Sequence, residues 1–396
     1  MKKVLSVLLV LAMLMVPALS LAEEPVTLLV WESDGVELDF MKAAAEKYTA
    51  LNPNITFEFN SVSHTDAVQK MELDGPAEVG ADVFAAPHDK MGQVVAGELA
   101  LPNDAAETVK NNFMPAAYNA CTYGGVTYGY PMAIETYALF YNKDLIDEAP
   151  ATWQEVEEFC ADYNDPSQNR YGLVWEVGAP YYNYIFISAY GADLFGPAGD
   201  DQSKHEINSE ASIKGMTYFQ TLKDKILPVA ADDLTGAFCS SAFMDEKTAA
   251  MYITGPWSIK DSVDKGVNLG IAKIPTLPDA EQTPASFSGV RLMLVSAFSK
   301  HPAEAKAFAE FLMTPEIQKL RSDMTSTISP CTSVTSDNEY FNGIMAQAAF
   351  AKPMPSIPAM DGYWTAMTAA FKQIWDGAPI VEQLNAAAQV IESIGK

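Results

Sequence analysis

The sequence predicts an α/β protein, and two observations carry that prediction. The mature chain opens with an apolar strand, an amphipathic helix and a second strand in quick succession, and the same alternation then continues. Strand–helix–strand repetition gives a sheet of parallel strands covered by helices. The chain also has 396 residues, enough for two domains of ordinary size with separate cores.

The first strand is Val26 to Trp31, and after Asp34 and Gly35 a helical spacing places Leu38, Met41, Ala45 and Tyr48 on one face. Asn52 and Pro53 end that helix. An alternating strand follows with Ile55, Phe57 and Phe59 pointing one way, then a polar helix near Asp66 to Leu73 and a short strand from Asp82 to Ala86. Gly124 and Gly125 separate two aromatic-rich runs, which is the signal of a two-residue hairpin turn. Ala138 to Tyr141 is a further apolar stretch. Thr152 and Glu155 form a capping box that opens a helix with Val156, Phe159 and Cys160 inside. Pro302 opens another, with Ala305, Phe308 and Leu312 inside, and Thr314 with Pro315 opens the next, with Ile317 and Leu320 inside. The last helix is predicted to pack through Val381, Leu384, Ala388 and Ile391. No low-complexity linker marks a domain boundary, as expected of a chain that passes between domains more than once.

Residues 1–22 read as a secretion signal: Lys2 and Lys3, an apolar run from Val4 to Val16, and a small-x-small site at Ser20, Leu21 and Ala22, with cleavage expected after Ala22. No later stretch approaches the roughly 20 apolar residues of a membrane helix. No cysteine lies near the cleavage site, so a lipid anchor there is not expected, and a secreted or periplasmic location is. The formal charge of −26 becomes −28 without Lys2 and Lys3. Nucleic acid and anionic membranes would be repelled, and a neutral ligand fits the sparse, scattered basic residues best. Cys121, Cys160, Cys239 and Cys331 are widely spaced; disulfides and buried free thiols are both open.

Nothing marks an enzyme. The four histidines, His64, His88, His205 and His301, have no metal-ligand spacing, and no glycine-rich nucleotide loop or nucleophile elbow appears. No catalytic residue, metal or cofactor is expected. The informative surplus is aromatic: six tryptophans and 17 tyrosines, several beside turn residues. Tyr181, Tyr182 and Tyr184 follow Gly178, Ala179 and Pro180; Trp257 follows Gly255 and Pro256; Tyr363 and Trp364 follow Asp361 and Gly362. Loops at element ends are where binding residues collect. Flat rings suit the apolar face of a sugar, and carboxylates suit its rim of hydroxyls. Any one such ring is more often core, and any one such acid more often a solvated side chain.

These residues resemble the maltose and maltodextrin binding proteins of bacterial ABC importers and, more broadly, the family 1 extracellular solute-binding proteins. Gly124, Gly125, Pro131, Ala133, Glu135 and the run Tyr141 to Leu145 match the crossover between lobes; His88 and Asp89 fall in the cleft loop after the third strand. Gly255, Pro256 and Trp257 match the glycine-proline-tryptophan turn, and Met354, Pro355, Ile357, Pro358, Met360 and Trp364 match the C-terminal cleft segment. The resemblance implies a periplasmic-binding-protein clamshell of type II-like architecture with discontinuous lobes: 23–133 plus 293–333, and 138–287 plus 339–396, with hinge crossings near 134–137, 288–292 and 332–338. It also implies a ligand site of Asp34, Asp89, Lys90, Glu135, Tyr181, Tyr182, Trp257, Met354 and Trp364, an oligosaccharide ligand, a membrane permease partner and a monomeric state.

The sequence departs from the pattern at Lys90 (arginine in the resembled proteins), Ala86 (tryptophan), Ala179 (glutamate) and Thr368 (arginine). The rival readings are a secreted glycoside hydrolase, whose two acids would flank one bond, and a binder of the same fold for a polyamine or other non-sugar.

Overall fold

The computed structural model describes residues 25–196, 199–281, 283–335 and 338–394. The expected secretion signal lies outside them, as do positions 336 and 337 of the third expected hinge crossing.

Two sheets organise the molecule. In the first, β1 (Val26–Glu32) pairs in parallel with β2 (Ile55–Ser61) and β3 (Val83–Pro87), as the opening alternation dictates. On the far side of β3 runs β11 (Phe287–Val295), antiparallel to it and to β6 (Tyr130–Thr136). The second sheet has the order β10-β7-β9-β8, built from β7 (Ala138–Asn142), β8 (Tyr171–Val174), β9 (Ala249–Thr254) and β10 (Leu269–Ala272). Only β8 and β9 are parallel there. The expectation of parallel sheets is thus corrected to mixed ones, because the chain returns to each sheet from the other rather than through a covering helix.

Several local signals appear where the sequence puts them. Gly124 and Gly125 take φ of +58° and +82°, the left-handed turn joining β4 (Thr122–Tyr123) to β5 (Val126–Thr127). Thr152 Oγ1 accepts from the Glu155 amide at 3.2 Å while Glu155 Oε2 accepts from the Thr152 amide at 3.3 Å, and the helix Trp153–Tyr163 starts there. Leu38, Met41, Ala45 and Tyr48 are buried on the helix Val36–Leu51, and Ala305, Phe308 and Leu312 on the helix Pro302–Leu312. Two faces are corrected. Val381 is exposed at 50%, and the last helix packs instead through Leu384, Ala387, Ala388 and Ile391. The helix Pro315–Thr325 buries Ile317 but also Gln318, Arg321 and Ser322, while Leu320 is only half-buried.

The apolar residues divide into two clusters, one under each sheet. The first draws on Val26 to Met132 and Val290 to Cys331 and the second on Tyr137 to Phe287 and Phe341 to Ile391, with Ile328 joining the second. Ile134 packs against both. The four cysteines are free and buried, so burial rather than bridging accounts for them. Burial pushes the Cys160 thiol up to about 12.

Candidate functional site

Where the two clusters face each other, a cavity of about 970 Å³ opens, at the upper end of the range for small-ligand sites. All nine residues of the expected site line it. From the first lobe come Asp34, in the turn after β1, and Asp89 and Lys90, in the short turn His88–Lys90 after β3. Glu135 stands near the end of β6. From the second lobe come Tyr181 and Tyr182, in the first turn of the helix Pro180–Ser188, and Trp257, in the turn Pro256–Ser258. Met354 and Trp364 complete that wall, the latter in the helix Ala359–Trp375. These aromatic positions, expected in loops, lie in helical turns: Tyr181 and Tyr182 in the first turn of their helix, Trp257 in a short turn of three residues and Trp364 in the second turn of its helix.

The aromatic wall is built on the core beneath it. Phe287, at the start of β11, stacks on Tyr184 with centroids 3.9 Å apart and an interplanar angle of 7°, and Trp364 meets it edge-on at 5.7 Å. Tyr181 stands 6.4 Å from Trp257 and 4.9 Å from Tyr137. Gly255 explains how Trp257 reaches its place: a Cβ there would lie 2.2 Å from the Trp257 ring, so only glycine lets the ring fold back across the turn. Tyr184 and Tyr363, grouped with the binding aromatics by sequence, are core residues. Trp31, Trp153, Trp175 and Trp375 are core too, leaving Trp257 and Trp364 as the two tryptophans of the cavity.

The carboxylates differ in their surroundings. Asp89 Oδ2 accepts from Trp364 Nε1 at 3.0 Å across the two lobes, while its buried Oδ1 has no hydrogen-bond partner among the described residues. Burial raises its pKa, against the pull of His88 and Lys90. Glu135 makes no side-chain hydrogen bond to protein among the described residues, and burial raises its pKa as well. Asp34 is exposed. Lys90 forms an ion pair with Asp361, a second link between lobes.

A third link is His88: the Val290 amide donates to its Nδ1 at 3.2 Å, so Nε2 carries the proton and donates to the Met354 carbonyl at 3.0 Å. Burial lowers its pKa, in keeping with that neutral tautomer.

Sequence reasoning missed a buried charge cluster on the first-lobe wall. Arg291, on β11, pairs with Glu32 at the end of β1 and donates to Ser33 Oγ at 2.8 Å. Arg321 donates to Glu37 Oε2 at 2.5 Å. Ser33 Oγ also lies 3.2 Å from His64 Nδ1 and accepts from the His64 amide at 3.0 Å. Burial, with the Arg291 and Arg321 charges, holds the His64 pKa well below its usual value. The available signal was the arginine interrupting the apolar run from Val290 to Val295.

A second cavity of about 480 Å³ shares Thr65, Tyr181 and Trp364 with the first. Ala179 and Thr368, two of the departures noted above, line it. No cluster of potential metal ligands occurs among the described residues, and no helix there is long and apolar enough to cross a membrane.

Comparison with known proteins agrees with this geometry. A family model described as bacterial extracellular solute-binding protein matches residues 43–351. A galactooligosaccharide-binding protein of Bacillus subtilis (strain 168) is 31% identical over 78% of this chain and 76% of its own. A maltooligosaccharide ABC transporter solute-binding lipoprotein of Streptococcus pneumoniae (strain ATCC BAA-255 / R6) is 29% identical over 75% of this chain and 72% of its own. The structure of the Thermus thermophilus maltotriose binding protein with maltotriose superposes with a TM-score of 0.86 at 25% identity, over 92% of this chain and 99% of that one. With two α/β lobes around one cleft and a family model covering most of its length, the chain belongs to the bacterial extracellular solute-binding proteins.

Proposed function

We propose that this protein captures a maltodextrin-like oligosaccharide in the interlobe cleft and delivers it to the membrane permease of an ABC importer, without covalent chemistry. One observation carries the reading: a cavity in which the rings of Tyr181, Trp257 and Trp364 from one lobe face the carboxylates of Asp34 and Asp89 from the other, with Glu135 at the crossing between them. The rings offer apolar platforms worth roughly 25 cal/mol per Å² of covered surface, and the carboxylates accept charge-assisted hydrogen bonds from hydroxyls. Lys90, Tyr182 and Met354 complete the contact surface. Because the two sets sit on different lobes, the ligand is held fully only when the lobes close on it, and its differential affinity drives closure.

The lobes we assign are 23–133 plus 293–333 and 138–287 plus 339–396, supported by the two apolar clusters. The second cavity beside Tyr181 and Trp364 supports a ligand longer than a disaccharide. Export, with residues 1–22 as the cleaved signal, and action as a monomer complete the reading.

Titration of the purified protein with maltose, maltotriose, maltopentaose, a galactooligosaccharide and spermidine, followed by tryptophan fluorescence and calorimetry, tests it. A maltooligosaccharide affinity near micromolar, about 8 kcal/mol, is expected. No response to any glucan rejects the ligand class, a response to spermidine alone favours the cationic rival, and shorter sugars appearing from maltotriose reject the non-covalent account.

A further inference from the structure

We propose that Arg291 is a positioning residue for sugar recognition: from the crossing strand β11 it ties down the Ser33–Asp34 turn and sets a positive charge diagonal to the Glu135 carboxylate that faces the ligand. The proposal rests on Glu135 being a sugar contact, as proposed above, and adds what makes it one.

An arginine that is 3% exposed in the middle of an apolar strand is costly unless its charge is matched. Arg291 has ion-pair partners on both sides but is hydrogen-bonded on one only. One terminal nitrogen reaches Glu32 and Ser33 Oγ, while Nε has no hydrogen-bond partner among the described residues and lies 3.9 Å from Glu37 Oε2. Two consecutive residues just before Asp34 are therefore tied to β11.

The register of the crossing strands brings in Glu135. β6 and β11 are antiparallel, with Gly289 opposite Glu135 and Arg291 opposite Ala133. Residues 289 and 291 share a face with 133 and 135, so Arg291 is the diagonal neighbour of Glu135, within the reach of long side chains. The position directly opposite Glu135 is glycine, where a Cβ would lie 2.8 Å from the Met354 methyl, and both Glu135 and Arg291 line the cavity.

The other charges around Glu135 do not replace Arg291. Arg321 is engaged by Glu37 and by Thr327 Oγ1, both at 2.5 Å. Glu32 and Glu37 add negative charge, and Tyr181 faces Glu135 from the second lobe. His64, beyond Ser33, is held neutral. Burial pulls the Glu135 pKa up, and among its neighbours the Arg291 charge pulls it back most.

The test is the maltotriose dissociation constant from pH 8 to pH 5 for the wild type, Arg291→Lys, the double variant Arg291→Met with Glu32→Gln, and Glu135→Gln. The double variant removes an ion pair whole rather than leaving one charge buried. Wild-type binding should weaken as the pH falls through the Glu135 pKa. In the double variant the weakening should begin about one pH unit higher, a tenfold larger loss at the same acidic pH. Arg291→Lys should restore the wild-type profile, and Glu135→Gln should lose most of the fall, keeping only the part that comes from Asp89, whose pKa burial also raises.

A double variant that binds with the wild-type profile overturns the proposal. So does a Glu135→Gln protein that keeps the wild-type slope, a result that decides the matter even if the double variant does not fold. A wild type that binds no maltotriose at any pH would instead reject the proposed function.

Discussion

Trp257 and Trp364 are half-buried rings whose exposed surface lies in the cavity, and they differ in how they are held. Trp257 is locked by its own turn across Gly255, whereas Trp364 is fixed partly by its bond to Asp89. Replacing either with alanine should cost about 1.5–3 kcal/mol of sugar binding, roughly ten- to 150-fold in affinity, with the melting temperature nearly unchanged. Calorimetry on each variant checks this, and wild-type affinity in both would remove the stacking argument.

A second residue-scale prediction concerns stability. Burial raises the pKa of Glu37, but the Arg321 and Arg291 charges outweigh it, so the folded value lies below the ordinary 4.5. Stability from this group is present above the unfolded pKa and is lost as pH falls through the depressed folded value. Urea unfolding at pH 7, 5, 4 and 3 should show that acid loss, and Glu37→Gln should lessen it. Arg321→Met, which removes the only hydrogen-bonded partner of Glu37 among the described residues and leaves it Arg291 at 3.9 Å, should cost about 3 kcal/mol at pH 7.

At the scale of elements, the helix Pro180–Ser188 is placed by the helix packed behind it. A Cβ at Gly215, on the helix Glu210–Lys225, would lie 1.8 Å from the Phe186 carbonyl oxygen, a backbone atom that cannot rotate aside. Gly215→Ala must separate the two helices, at a cost of about 1–3 kcal/mol or more, and must displace Tyr181 and Tyr182 with them. Thermal melting together with maltotriose titration should show both losses. Thr152→Ala is the contrasting case: it removes a capping hydrogen bond at a residue that lines neither cavity, so it should cost about 1 kcal/mol of stability and leave affinity alone. A Gly215→Ala protein that melts like wild type would refute the packing argument.

For the whole molecule, three polar links join the lobes among the described residues: Asp89 to Trp364, Lys90 to Asp361, and His88 to Met354. Lys90 and Asp361 are partly exposed, at 19% and 41% of their side chains, so their pair is worth at most about 1 kcal/mol. Asp361→Asn should shift the ligand-free protein toward a more open form, visible as a larger radius of gyration by solution scattering. It should weaken sugar binding no more than about fivefold. Saturating sugar should bring the variant back to the wild-type dimensions, and unchanged dimensions without ligand would show that this pair does not hold the lobes together.

The sequence by itself determined what depends on near neighbours. Helical spacing placed Leu38, Met41, Ala45 and Tyr48 inside, two glycines closed the hairpin at positive φ, and Thr152 with Glu155 started a helix. The site residues were legible through the family resemblance and through aromatics beside turns. That second signal could not separate Trp364 from its buried neighbour Tyr363, since which of two adjacent side chains points to a cleft depends on what lies opposite. Only the tertiary structure decided that Asp34, Asp89, Glu135, Trp257 and Trp364, spread over more than 300 positions, line one cavity. It alone decided that Arg291, Glu32, Glu37 and Arg321 neutralise one another inside the protein. A lone charge in an apolar run carries no record of its partner, because that partner comes from a distant strand or helix brought near only when the chain recrosses between the lobes.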